Sequence, residues 1–211
     1  MSRQLMKLPE GVIIVDKKMR RAYRKRIYKR DVSAYNADSR GYFYEVYNAE
    51  EFGEYGITDN FLQDNEVESQ YGVFRGLHFQ RDPWSQAKLV RVSLGSVFDV
   101  IVDLRVGYSS FGCWYGITLS DENKLQMYIP EGFAHGYVTL TPYTLFHYKV
   151  DQFWNEDMEC GIIYDDPILG ITLPIAKEKL ILSPKDREWP QFASLLQGGM
   201  PFGDREKEEG T

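Results

Sequence analysis

Three histidines, His78, His135 and His147, are all the imidazole chemistry in this chain of 211 residues. A metal site in a β-rich protein would want histidines at close spacing together with a carboxylate. Two positions after His78 the chain carries Gln80, so no metal is expected. The cysteines, Cys113 and Cys160, are too few for a disulfide framework and have no metal-ligand spacing. No GxGxxG, P-loop, HExxH or GxSxG motif occurs, which removes the commonest dinucleotide, phosphoryl-transfer and hydrolase chemistries.

His78 stands in GVFRGLHFQ between Leu77 and Phe79. Strand alternation there puts His78 and Gln80 on one face, with Gly76 roughly in line, as polar groups facing a cavity. Arg75 makes the segment still more polar. The same histidine also fits a half-buried strand position with a satisfied ring. Lys88 opens KLVRVSLG and equally fits an ordinary strand-end lysine. In TLFHYKV, Phe146, Tyr148 and Val150 share one face and Leu145, His147 and Lys149 the other. Tyr148 therefore also fits a core tyrosine with a bonded hydroxyl. Ser183, Pro184 and Asp186 match a helix N-cap, a proline at the first helical position and an acidic partner.

The elements that would hold these residues are mostly strands. From Asn60 to Pro174 short β segments alternate with turn signals such as Leu94-Gly95-Ser96, Asp121-Glu122-Asn123 and Thr141-Pro142. KLVRVSLG, SVFDVIVDL, CWYGITLS, LQMYIP, AHGYVTL, TLFHYKV and CGIIYDD are the clearest segments. Phe98, Val100, Val102 and Leu104 share one face of theirs. That cadence predicts an antiparallel sandwich or jelly roll rather than a βαβ fold. VIIVD and GYFYEVY near the start also read as strands. NAEEFGEYG reads as a short helix opening on Asn48 and stopped by Gly56, and a second helical segment follows Leu182.

Composition sets the class. Hydrophobic residues make up 43% and charged residues 27%, the balance of a globular protein, and no linker divides the chain, so one domain is expected. The formal charge of −6 argues against a nucleic-acid binder. No apolar stretch is long enough to cross a membrane and the N-terminus lacks a secretory apolar core, so the expectation is a cytoplasmic, reduced protein. Nine of the 25 basic residues nevertheless lie between Lys17 and Arg30, in a run suited to phosphates or to an acidic surface, or to a solvated hairpin. The tail at 203–211, mixed in charge and rich in Glu, is expected to fray.

GVFRGLHFQ, KLVRVSLGSVFDVIVDLR, LSDEN, IPEGFAHGYVTL and LSPKD, with RGYFYEVYN and FLQDN before them, resemble the dTDP-4-dehydrorhamnose 3,5-epimerase family in order from Arg40 to Asp186. The resemblance implies an all-β, cupin-type antiparallel jelly roll with a few short helices, including a C-terminal one. It implies a homodimer that needs no metal or organic cofactor and acts on a nucleotide-linked sugar in rhamnose and polysaccharide biosynthesis. By motif, His78 matches the catalytic base and Asp186 the carboxylate behind it. Tyr148 matches the general acid and Lys88 the lysine near the C4 oxygen. Arg75 and His135 match sugar-site residues. Arg40, Glu45, Gln63, Asn65, Glu159 and Lys185 fall at nucleotide diphosphate contacts, and Trp154 at an aromatic position where tyrosine is common.

These residue types suit the implied reaction. In a 4-keto sugar the protons on C3 and C5 flank the carbonyl, and removing either gives an enolate. Inversion needs a base on one face and a proton donor on the other. The expected conversion is dTDP-4-dehydro-6-deoxy-D-glucose to dTDP-4-dehydro-L-rhamnose. Alternatives are a single-centre epimerase, one that takes a GDP- or CDP-linked sugar, a non-catalytic sugar-nucleotide-binding cupin, or a metal-dependent cupin enzyme whose three histidines meet only in space. The basic segment at about 17–38 departs from the family as an insertion, suited to extending the nucleotide site, covering it or making an oligomer contact.

Overall fold

Alternating apolar and polar side chains make strands the dominant regular structure of this chain, and the computed structural model describes residues 4, 7–16, 21–23, 27–29, 35–197 and 202. In chain order the first elements are β1 (Ile13–Asp16), β2 (Arg21–Tyr23), β3 (Ile27–Lys29), β4 (Tyr35–Asp38), β5 (Gly41–Tyr44) and helix α1 (Ala49–Glu54). Then come β6 (Gln63–Ser69), β7 (Phe74–Gln80), β8 (Lys88–Leu94), β9 (Ser96–Asp103) and β10 (Trp114–Ser120). The last are β11 (Leu125–Ile129), β12 (Phe133–Thr139), β13 (Thr144–Val150), β14 (Glu159–Gly161) and helices α2 (Pro184–Glu188) and α3 (Phe192–Gln197).

The strands form a seven-stranded sheet, ordered β3-β2-β1-β11-β8-β13-β6, and a five-stranded sheet, ordered β10-β9-β12-β7-β14. The hairpin β4–β5 stands apart. Every pairing between the named strands is antiparallel, the two-sheet jelly roll expected from the turn cadence.

Apolar residues pack in three layers. Val12, Ile14, Val90, Val97, Ile101, Met127 and Phe146 fill the space between the sheets. The other face of the five-stranded sheet, including Phe98, Val100, Val102 and Leu104, is covered by the C-terminal segment through Ile162, Leu169, Phe192 and Leu195. On the far face of the seven-stranded sheet, Phe52 of α1 packs with Ile13, Val15 and Leu89. The Asn48 side chain caps α1 by accepting from the backbone N–H groups of Glu50 and Glu51, and Gly56 ends it at φ +82°.

Some segments differ from expectation. GYFYEVY is a strand only through Tyr44; beyond it, the Val46 carbonyl accepts from the Gln126 side chain at 2.8 Å. In CGIIYDD the strand ends at Gly161, although Ile162 still exchanges backbone hydrogen bonds with Leu77. Asp166 shapes the chain that follows. This buried carboxylate accepts from the backbone N–H groups of Ile168, Leu169 and Phe192, tying a loop to the start of α3. Part of the basic segment forms β2 and β3 at one edge of the larger sheet, and its other residues through 34 lie outside the described residues. The tail at 203–211 lies outside them too.

Asp166 offers a stability test. Asp166→Ala strands three backbone donors and should lower the unfolding free energy by about 2–4 kcal/mol in a denaturant titration. Asp166→Asn keeps one acceptor oxygen and should lose less.

Candidate active site

Toward one end of the sandwich the inward positions turn polar and the sheets cannot close on each other. The result is a cavity of about 570 Å³. The seven-stranded sheet contributes Gln63 and Asn65 on β6, Lys88 on β8 and Tyr148 on β13. The five-stranded sheet contributes Arg75, His78 and Gln80 on β7, His135 and Tyr137 on β12, and Glu159 on β14. Trp154 and the start of α2, with Ser183, Lys185 and Asp186, complete the wall.

Period-two alternation accounts for the β13 wall, where Phe146, Tyr148 and Val150 line the cavity. His147 points away, with Nε2 2.6 Å from Ser93 Oγ and 3.5 Å from Glu66. On β7 alternation predicts His78 and Gln80 together but leaves Arg75 on the opposite face. A register shift corrects this. His135 pairs with His78, and Tyr137, two residues on, pairs with Arg75, three residues back. The extra residue in β7 brings Arg75 round to the cavity. The strands approach closely there, since a Cβ on Gly76 would lie 2.5 Å from the Cα of Gly136.

His78 Nε2 lies 2.5 Å from Asp186 Oδ1. Burial pushes the Asp186 acid up, but the hydrogen bond and charge of His78, with donors from Ser183 and Trp189, outweigh it and hold the carboxyl below its usual range. An ionised carboxylate can only accept, so Nε2 carries the proton and Nδ1 keeps the lone pair. Asp186 is thus both the helix partner of Ser183, whose hydroxyl donates to Oδ2 at 2.9 Å, and the partner of His78.

Beside this pair stands a second one. His135 Nε2 lies 3.0 Å from Asp99 Oδ1, and Asp99 is wholly buried. Burial pushes the Asp99 acid up, while His135 and Lys88 pull it back. Lys88 is pushed down to about 8 by desolvation, partly offset by Glu159 and Asp99. Tyr148 is raised, mainly by burial. At the mouth, Glu159 Oε2 accepts from Lys185 Nζ at 2.5 Å and from Trp154 Nε1 at 3.0 Å. Burial raises the Glu159 acid, and these two donors more than reverse the shift.

Of the residues singled out from the sequence, Gln63, Asn65, Arg75, His78, Lys88, His135, Tyr148, Trp154, Glu159, Lys185 and Asp186 meet in this cavity. Arg40 and Glu45 do not line it. Arg40, 88% exposed, donates to Asp38 in the β4–β5 turn. That hairpin touches Lys124 through the Tyr42 hydroxyl, and Val46 beyond it borders a depression with Asp64, Arg91 and His147, whose side chains face away from the cavity. Asp99, Tyr137 and Trp189 escaped the sequence reading. Asp99 had a signal, because an acid in line with Val97 and Ile101 on a central strand must find a buried partner. Trp189 had none. Among the described residues no three His, Cys, Asp or Glu side chains are grouped to hold a metal ion.

The arrangement sets an imidazole on one wall, a phenol on the other and a cation on the phenol's side. It can take a proton from carbon beside a carbonyl, stabilise the resulting oxyanion and return a proton from the opposite face. Arg75 and Lys185 supply positive charge for an anionic substrate.

Comparison with known proteins points the same way. The family model described as dTDP-4-dehydrorhamnose 3,5-epimerase matches residues 31–194. A dTDP-4-dehydrorhamnose 3,5-epimerase of Pseudomonas aeruginosa is 50% identical over 157 residues, covering 74% of this chain and 86% of that protein. One from Methanothermobacter thermautotrophicus is 48% identical over 153 residues, covering 72% and 82%. Among solved structures, the dTDP-6-deoxy-D-glucose-3,5-epimerase of Legionella pneumophila in complex with dTDP-4-keto-L-rhamnose superposes with a TM-score of 0.73. It is 40% identical and covers 86% of this chain and 93% of that one.

The electrostatics of Lys88 can be tested without substrate. In an NMR titration of lysine side chains, Lys88 should titrate at about 8, well below an exposed lysine. Glu159→Gln removes the larger of the two carboxylate contributions and should move the Lys88 midpoint lower still.

Proposed function

The chain belongs to the dTDP-4-dehydrorhamnose 3,5-epimerase family, and we propose from that premise that it inverts C3 and C5 of a nucleotide-linked 4-keto-6-deoxyhexose. The proposed substrate is dTDP-4-dehydro-6-deoxy-D-glucose and the product dTDP-4-dehydro-L-rhamnose. The observation that carries this reading is that His78 and Tyr148 stand on facing sheets across one cavity that Lys88 also lines. The ligand in the Legionella pneumophila structure supports the dTDP-linked sugar.

In this mechanism His78 Nδ1 takes the proton from C3 or C5 while Asp186 stabilises the imidazolium. Lys88, as an ammonium, holds the negative charge that develops on the C4 oxygen. Tyr148 stays protonated until it donates to the opposite face of the enolate, and burial favours that neutral form. Arg75 and His135 orient the sugar, with Asp99 fixing the His135 ring. Gln63, Asn65, Trp154, Glu159 and Lys185 hold the nucleotide end. Each step moves only protons activated by the substrate's own carbonyl, so the reading requires no cofactor.

Arg40 and Glu45 are assigned to the nucleotide site of a second copy in a homodimer. Their hairpin exposes Phe43 and Tyr42 at 73% and 51%, apolar surface suited to a partner. The reading is of a single-domain enzyme working in the cytoplasm.

The first test is proton NMR of dTDP-4-dehydro-6-deoxyglucose with the protein in D₂O. Deuterium is expected at both C3 and C5; exchange at one carbon would reduce the activity to single-centre epimerisation, and none would refute it. His78→Asn should abolish exchange with little change in nucleotide affinity. Lys88→Ala should lower kcat by about 10²–10³, as for other oxyanion donors. Lys88 is charged below about 8, so the wild-type rate should fall as the pH rises through that value. For the dimer, mixing His78→Asn with Arg40→Ala subunits should restore about a quarter of wild-type activity, because each mixed dimer regains one whole site.

A further inference from the structure

Trp189 lies outside the set of residues just assigned, yet it touches that set from three sides. It sits at the end of α2, where extended backbone and the following Pro190 turn the chain out of the helix. Its indole Nε1–H donates to Asp186 Oδ1 at 3.3 Å, the same oxygen that faces His78 Nε2. Its ring meets the His78 ring in a T-shaped contact, centroids 5.9 Å apart. On the indole lies the Lys185 ammonium, 5.3 Å from the ring centroid.

The place of the indole is fixed by a missing side chain. Gly161 pairs with His78 in the β14–β7 register. A Cβ there would lie 2.4 Å from both Cδ2 and Cε2 of Trp189. Gly161 is not among the glycines with positive φ, so its backbone does not demand glycine; the close approach of the indole does.

We propose that Trp189 is a positioning residue that holds Asp186 in line with His78 and, by drawing on the same carboxylate oxygen, sets how strongly the pair takes up a proton. The inference rests on the reading of His78 as the base. Two donors share Oδ1, and the Ser183 hydroxyl occupies Oδ2. Each donation withdraws electron density from the carboxylate and weakens the stabilisation it offers an imidazolium. Removing the indole N–H therefore leaves Asp186 a stronger partner for charged His78 but a less well-held one. The other charged or titratable groups lining the cavity with the pair are Lys185 on α2, Glu159 on β14, Arg75 on β7, His135 and Tyr137 on β12, Lys88 on β8 and Tyr148 on β13. A change at Trp189 to another aromatic ring leaves each of these residues in the sequence, and of them only Lys185 contacts the replaced ring, where a phenyl still offers a face to its ammonium.

The test is Trp189→Phe, which keeps a ring beside His78 and removes the donor. With only three histidines in the chain, the His78 ring resonances can be followed by NMR without substrate and assigned by their loss in His78→Asn. They should titrate about half a pH unit higher than in the wild type, the size expected for one weak hydrogen bond. With substrate, the acid limb of kcat/KM should move up by the same amount. kcat should fall roughly tenfold from looser alignment, with KM unchanged. Gly161→Ala keeps the donor but displaces the ring, should move the His78 titration in the same direction, and carries the test if Trp189→Phe fails to fold. An unmoved or lowered His78 titration in the folded variants would overturn the proposal, as would a rise in KM with the acid limb in place. A raised titration without proton exchange from any substrate would uphold the role of Trp189 and reject the epimerase reading instead.

Discussion

The bond between His78 and Asp186 joins positions 108 residues apart in the chain, and much of the remaining architecture serves to make that span short. His78 is anchored in the five-stranded sheet between β12 and β14. Asp186 belongs to a segment that has no strand of its own and must be brought back across the outside of that sheet. Ile162, Leu169 and Phe192 bury themselves there, and Asp166 ties the loop through Leu169 to Phe192 at the start of α3. The apolar layer outside the sheet thus acts as the clamp for a carboxylate that reaches in at its end.

Charge inside the cavity is handled by pairing rather than by avoidance. Asp186 and Asp99 each meet a histidine, and Glu159 meets Lys185 and Trp154. Lys88 shows no such direct partner among the described residues, and desolvation disfavours its charged form. An ammonium that is poorly compensated before the reaction gains most when an oxyanion appears next to it, which is how an electrostatic site favours a transition state over a ground state.

Much of this was legible in the sequence because its signals were local. The period-two pattern of TLFHYKV assigned Tyr148 inward and His147 outward, and Ser183-Pro184 marked the start of α2. What alternation could not foresee was the register shift opposite His135 and Tyr137, which rotates Arg75 into the cavity. A one-residue slip in pairing depends on two strands meeting, here through the glycines at 76 and 136, and one strand's pattern does not contain it. Trp189 was invisible for the same reason: its role is defined by Gly161, Asp186 and His78 together. Arg40 and Glu45 lie outside the cavity of their own chain because the hairpin β4–β5 packs elsewhere, a relation between surfaces that motif order does not encode.

The basic segment enters the larger sheet beyond β1, whereas the cavity is built on β8, β13 and β6 toward the opposite edge. β2 is separated from β8 by β1 and β11, roughly 14 Å at the usual strand spacing. Chain added at that margin displaces no cavity residue, and the loop-closure part of its cost rises by only about 0.6 kcal/mol for each doubling of length. The sheet therefore has one edge at which added chain stays clear of the cavity and another, β6, at which every second side chain, Gln63, Asn65 and Val67, lines it.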